Sequence, residues 1–282
     1  MNKRTNRHCA FNNIHSETSK GDTDIKINCL SDDKFGNLLF VNVLIDGVDT
    51  VALFDTGAAM SVVTKSLLEK LGKNEENEHL KAGNNSGKIQ SLPTVAVSNV
   101  QIGDIVIDTL KTVVVKDEDL EFCDEQGCAF PAKMLLGWDV ISRFAWRYCA
   151  KDKTLSVEKT NRLPILEDLT IEPLVFSKYC NKTFKAKVDT GHTESILGKV
   201  WLDRLPYIEY RESETIGVGS TVRNITPYVK TVPITFGNHT IELHDADICE
   251  KIYGQADDIE ALLGYDFLQN HDWRLNGEFE LV

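Results

Sequence analysis

The sequence predicts a mostly β protein made of two tandem domains of one plan, facing each other across an approximate two-fold axis. Three observations predict it. A motif is written twice with matching flanks. Leu53-Phe54-Asp55-Thr56-Gly57-Ala58 precedes Ser61-Val62-Val63, and Lys187-Val188-Asp189-Thr190-Gly191-His192 precedes Ser195-Ile196-Leu197. The aspartates differ by 189 − 55 = 134 positions, and that offset, without a gap, lays Leu68 on Leu202, Gly83 on Gly217, Pro93 on Pro227 and Ile107 on Ile241. Short β-rich runs with turn signals between them fill both copies. A period this long is a whole-domain duplication, since solenoid repeats run to a few tens of residues. A chance Asp-Thr-Gly is expected in roughly one chain in twenty of this length, so a matched pair has another origin.

The first copy opens with Ile25 to Leu30, which alternates like a strand and stops at Ser31-Asp32-Asp33. Leu38 to Ile45 and Val48 to Phe54 are β-rich runs on either side of Asp46-Gly47, a strong hairpin signal because both turn residues tolerate positive φ. The second strand of that hairpin delivers Asp55. Lys65 to Leu71 predicts a short helix stopped by Gly72. Asn84-Asn85-Ser86-Gly87 is a turn cluster; Val95 to Val100, a turn, and Ile102 to Ile107 follow as strands, then Val113 to Val115 as another. An acidic loop spans 117–125. Met134 to Asp139 predicts a short helix, and Thr154 to Val157 a strand.

Beyond the acidic loop the offset falls to 127, so the first copy carries the longer insertion there. With that shift Leu136-Gly137-Trp138-Asp139 falls on Leu263-Gly264-Tyr265-Asp266, and Trp146-Arg147 on Trp273-Arg274. Trp146 and Trp273 are expected in the core. The predicted layout is a flexible leader at 1–24, a first half at 25–160, a linker at 161–170 around Pro164, and a second half at 171–282.

Composition excludes several function classes. At 282 residues, 42% hydrophobic and 26% charged, the chain is ordinary for a soluble globular protein of two domains. No apolar run reaches the ~18 residues of a membrane span. A formal charge of −12 argues against a nucleic-acid partner, which needs a basic face. The leader carries Lys3, Arg4 and Arg7 with no apolar stretch behind them, so it does not read as a secretory signal. It is either a flexible segment or a removable pro-segment. Seven widely spaced cysteines then predict free thiols and a cytoplasmic location. Cys123 and Cys128 are close enough for a local disulfide or half a metal site. No second Cys or His pair completes a zinc set, so no metal is expected.

Two carboxyls held together on rigid turns cannot both ionise cheaply, so the pair keeps one proton and offers a base and an acid side by side. That suits hydrolysis of a peptide bond by water. These residues resemble the retropepsin-type aspartic proteases of pepsin-like architecture. Phe54 to Ala58 with Leu135 to Asp139 carries the likeness in the first copy, and Val188 to Gly191 with Leu262 to Leu268 in the second. It covers roughly residues 36 to 282. Retropepsins usually supply one half per chain and dimerise, whereas this chain holds two halves of retropepsin size.

The resemblance implies two tandem β-barrel domains in a bilobed, pseudo-two-fold protein, with Asp55 and Asp189 as the catalytic dyad. It implies that Thr56 and Thr190 hydrogen-bond across the axis, with Gly57 and Gly191 completing the turns. It places substrate-covering flaps at Gly83, Asn84, Asn85, Ser86 and Gly87, and at Gly217, Val218, Gly219 and Ser220. The implied partner is an extended polypeptide substrate, with no nucleic acid and no membrane. The protein is expected to act as a monomer with no metal or organic cofactor, only a water.

Two departures from the pattern predict an asymmetric cleft. His192 stands where the family has a small residue such as Ala58; its ring either faces the dyad and favours ionised Asp189, or faces outward. The two flap tips also differ. The alternatives to an endopeptidase are a silent peptide-binding module of the same fold and a scaffold protein. The acidic loops at 117–125 and 257–260 are either a bias toward basic substrates or plain solvated surface.

Overall fold

A computed structural model describes residues 24–31, 35, 38–83, 89–120, 129–162, 174–180, 182–217, 219–250, 252 and 258–282. The leader up to residue 23, the linker from 163, Cys123 and Cys128 lie outside the described residues, as do Asn84, Asn85, Ser86, Gly87 and Val218.

The first half contains β1 (Asp24–Ser31), β2 (Leu39–Ile45), β3 (Val48–Phe54), β4 (Val62–Thr64) and helix α1 (Lys65–Lys70). It continues with β5 (His79–Gly83), β6 (Ile89–Ile102), β7 (Ile105–Val115), β8 (Met134–Leu136) and α2 (Trp138–Ile141). Strands β9 (Phe144–Cys149) and β10 (Thr154–Arg162) end it. The second half repeats the plan with β11 (Leu174–Tyr179), β12 (Lys182–Val188), β13 (Ile196–Gly198), β14 (Glu209–Gly217) and β15 (Ser220–Phe236). Then come β16 (His239–Cys249), β17 (Ala261–Leu263), α3 (Tyr265–Leu268), β18 (Trp273–Leu275) and β19 (Phe279–Leu281). The repeat is exact at several elements: β3 to β12, β4 to β13 and β7 to β16 are shifted by 134 at both ends, and β8 to β17 by 127.

Each half closes a six-stranded barrel. In the first the order is β2-β3-β8-β4-β7-β6, closed where Leu44 and Ile45 of β2 meet Gln101 and Val100 of β6. In the second it is β11-β12-β17-β13-β16-β15, closed where Ser177 and Lys178 meet Phe236 and Thr235. Closure removes the exposed edges that an open sheet of this size would present. Asp46 (φ 48) and Gly47 (φ 83) form the left-handed turn between β2 and β3 that the Asp-Gly pair predicted. Thr64 caps α1 by accepting from Leu67 N, and Leu67 and Leu68 fasten the helix to the barrel.

Two predicted elements differ. Met134 to Asp139 is not one helix: β8 is a buried strand and only α2 is helical, because Met134–Leu136 pairs with Ala52–Phe54 of β3. Tertiary pairing overrides the helix preference of a short apolar run. The strand, turn and strand expected over Val95 to Ile107 are the hairpin of β6 and β7, but Val113 to Val115 is the end of β7 rather than a further strand.

A third sheet layer joins the halves. The chain's last strands, β18 and β19, add to β9 and β10 of the first half, Trp273 opposite Tyr148 and Leu275 opposite Trp146. Trp146 and Trp273 are both buried, and Tyr148 stacks on Trp273 with centroids 5.3 Å apart. Tyr265 of α3 donates its hydroxyl to that of Tyr148, 3.1 Å away. This base fixes how the two barrels face each other.

Candidate active site

Strands β3 and β12 each end at an Asp-Thr-Gly turn on the floor between the barrels. Each approach is apolar and fully paired: Ala52, Leu53 and Phe54 are buried against β8, and Ala186 and Val188 against β17. The chain leaves the ladder at the aspartate, whose N–H donates to the strand behind it, Asp55 to Leu136 O at 3.0 Å and Asp189 to Leu263 O at 2.9 Å.

The two turns interlock through their threonines. Thr56 N donates to Thr190 Oγ1 at 3.1 Å, and Thr190 N to Thr56 Oγ1 at 3.0 Å. Each hydroxyl then donates across the axis, Thr56 to Val188 O at 2.9 Å and Thr190 to Phe54 O at 2.6 Å. Both side chains are buried, so all four bonds act out of water, where a broken one is costly.

The glycines bring the carboxyls together. A Cβ on Gly57 would lie 2.2 Å from Asp189 Oδ2, and one on Gly191 would lie 2.3 Å from Asp55 Cγ. Each carboxyl therefore rests against the opposite turn, and only a residue without a side chain allows the approach. Asp55 Oδ1 accepts the N–H groups of Gly57 (2.8 Å) and Ala58 (3.0 Å); Asp189 Oδ1 accepts that of Gly191 (2.9 Å).

Electrostatics follow from that geometry. Burial pushes the Asp55 carboxyl up first, and the charge of Asp189 adds to it, carrying it to about 7. The Ala58 and Gly57 N–H bonds and the charge of Lys187 pull the other way without prevailing. The rise belongs to the pair: neighbouring carboxyls share one proton across a wide pH range.

Matched supports stand behind the turns. Ser61 donates its hydroxyl and its N–H to Asp139 Oδ1 (2.8 and 2.9 Å) and accepts from Gly137 N at 3.0 Å. In the second half Ser195 donates to Asp266 Oδ1 at 2.9 Å and accepts from Gly264 N at 3.0 Å. Burial raises both Asp139 and Asp266. The motifs containing these aspartates were plain in the sequence, but no role was read for them. Their partners lie 78 and 71 positions away.

His192 is engaged by its own loop: Nδ1 donates to Glu194 O at 2.6 Å, and its charge acts on Glu194 and Asp266. The segments expected to be flaps fall in the hairpins β5–β6 and β14–β15, with Gly83 opposite Ile89 and Gly217 opposite Ser220. The tip of the second reaches the other half, where Gly219 N donates to Asp119 O at 3.1 Å. Sequence reasoning missed that contact and also Lys187, a buried lysine at an otherwise apolar place.

Four acidic side chains of the two loops have cationic partners, while Asp119 accepts the backbone N–H of Lys116. Asp117 pairs with Lys133, Glu118 with Lys116, Asp258 with Lys185 and Glu260 with Arg204. Cys149, Cys180 and Cys249 are free thiols. Among the described residues no cluster of His, Cys, Asp and Glu could hold a metal ion, and no helix is long and apolar enough to cross a membrane.

No curated protein matches the chain. Residues 41–143, which include Asp55 and run through α2, match the family model described as gag-polyprotein putative aspartyl protease. That match lies in the first half, and the second repeats its barrel strand for strand. The match to a retropepsin-like aspartyl-protease model over residues 41–143 and the two six-stranded barrels are consistent with two retropepsin-type halves in tandem.

Proposed function

We propose that this protein is an aspartic endopeptidase in which Asp55 and Asp189 activate one water against a peptide bond. The observation that carries the reading is the reciprocal approach of each carboxyl to the other turn's glycine, which makes two aspartates 134 positions apart one titrating unit. With one proton on the pair, the ionised carboxyl takes a proton from water as its oxygen attacks the carbonyl carbon. The protonated carboxyl hydrogen-bonds the carbonyl oxygen as it becomes tetrahedral. Collapse of that intermediate breaks the C–N bond, and the leaving nitrogen takes a proton from the pair.

The substrate is an extended polypeptide lying across the floor between the barrels beneath the two hairpins. A lid whose tip touches the opposite half, as Gly219 touches Asp119, suits a site that must exclude water during the reaction.

The test is cleavage of a peptide library over pH 3 to 8 by the wild type, Asp55→Asn and Asp189→Asn. Cleavage that disappears in both variants, in folded protein, and is blocked in the wild type by a statine-type mimic supports the reading. Cleavage retained in either variant refutes the dyad. A folded wild type that binds peptides and cleaves none is a peptide-binding module.

A further inference from the structure

Lys187 lies two residues before Asp189, where the first half has Leu53. Both side chains are buried, at 1% and 4% exposure, but only one is charged. A buried ammonium needs acceptors and a counter-charge, or its desolvation makes the fold unstable. Lys187 Nζ donates to Gly57 O at 3.2 Å, so a second-half strand grips the first-half turn. Gly57 in turn donates its N–H to Asp55 Oδ1 at 2.8 Å, so the ammonium sits on the turn that holds that carboxyl, and its charge favours the ionised form there.

Other groups lie near it on its own strand, on the paired strands and on the first-half turn. On β12 itself, Lys185 is taken up by Asp258 at 2.7 Å. The β17 residue opposite Lys187 is Leu262, and the β11 residue is Leu174. From the first half come the Asp55 carboxyl and the N–H groups of Gly57 and Ala58 that it accepts; Asp189 follows on the chain, and His192 is turned to Glu194 O.

We propose that Lys187 is a positioning residue for the candidate dyad, clamping the first-half turn through Gly57 O and placing a buried positive charge beside the two carboxyls. This rests on reading Asp55 and Asp189 as the dyad. A nearby positive charge favours the ionised form, so the pH range in which the pair holds one proton sits lower than it would with leucine there. The duplication thereby gives two geometrically matched turns of unequal electrostatics.

The experiment compares wild type, Lys187→Met, Lys187→Gln and Lys187→Arg by two readouts. One is the titration of the Asp55 carboxyl followed by carbon-13 NMR, which needs no turnover. The other is the pH profile of kcat/KM. Met and Gln are expected to move the titration and both limbs of the profile up by about 0.5–1 pH unit, while Arg leaves them in place. A titration in Lys187→Met or Lys187→Gln that coincides with wild type overturns the proposal. A shifted titration in a protein that cleaves nothing keeps the role of Lys187 and refutes the protease reading alone. Loss of the fold in the two neutral variants but not in the arginine variant shows that the charge is what the site requires. Loss in all three makes Lys187 a packing residue and overturns the proposal.

Discussion

Thr56 and Thr190 each receive the other's backbone N–H, at 3.0 and 3.1 Å, and each hydroxyl is passed on to a carbonyl of the opposite approach strand. The two barrels are thus bonded at the point where their aspartates meet. Replacing Thr56 by Ala leaves the Thr190 N–H and the Val188 carbonyl unpaired in a buried place. The expected loss is about 2–4 kcal/mol, read as a lower denaturant midpoint. Thr56→Ser keeps the oxygen and is expected to lose less than about 1 kcal/mol.

Asp55 makes stability depend on pH with a definite sign. Its folded carboxyl is raised to about 7 from an ordinary 3.8. The folded state therefore holds a proton that the unfolded chain releases earlier. The stability this lends is present at low pH and is lost as pH rises through the folded value. Asp55→Asn removes the cost of the charge. It is expected to match wild type near pH 3 and to be more stable by up to about 4 kcal/mol at pH 8, while cleaving no peptide. Thermal melts of both proteins across that range check it.

Glycine substitutions divide by space rather than by motif. Gly57→Ala and Gly191→Ala put a methyl within 2.2–2.3 Å of the opposing carboxyl, so the turns must separate. Both are expected to lose cleavage and to destabilise by about 2 kcal/mol or more. A Cβ on Gly83, at the end of β5, meets nothing within 4 Å among the described residues, and Gly83→Ala is expected to change stability by less than about 0.5 kcal/mol. Urea unfolding of the three variants ranks them.

Asp139 holds the loop behind Asp55 by accepting twice from Ser61. Asp139→Ala strands a buried hydroxyl and a backbone N–H, at an expected cost of about 2–4 kcal/mol. Loss of activity in this variant is expected to follow loss of fold, with the pH profile of the remaining active fraction unmoved. Activity measured beside a chevron or melt separates the two.

The duplication, the strands leading into each Asp-Thr-Gly and the Asp46-Gly47 hairpin were legible because each is a local pattern or a fixed offset. Hydrophobic runs and turn residues act on their own neighbourhood, and a repeat preserves them in register. Met134 to Leu136 was misread because a three-residue apolar strand carries no period of its own; its pairing with β3 lies about 80 positions away in sequence. The joining of β18 and β19 to the first half's strands was equally hidden, since the matching tryptophans announce a core without saying which core.

The sequence by itself determined that there are two copies of one domain and where each copy's aspartate falls, because covalent order fixes the repeat and its turns. The copies differ in sequence at Lys187 against Leu53 and at His192 against Ala58, and only the tertiary structure decided what each of these side chains meets. The Lys187 ammonium and the Leu53 methyls occupy matching places on the chain, but a charge is defined by what surrounds it. Burial on β12 and the Gly57 carbonyl of the other half give this one its bearing on Asp55.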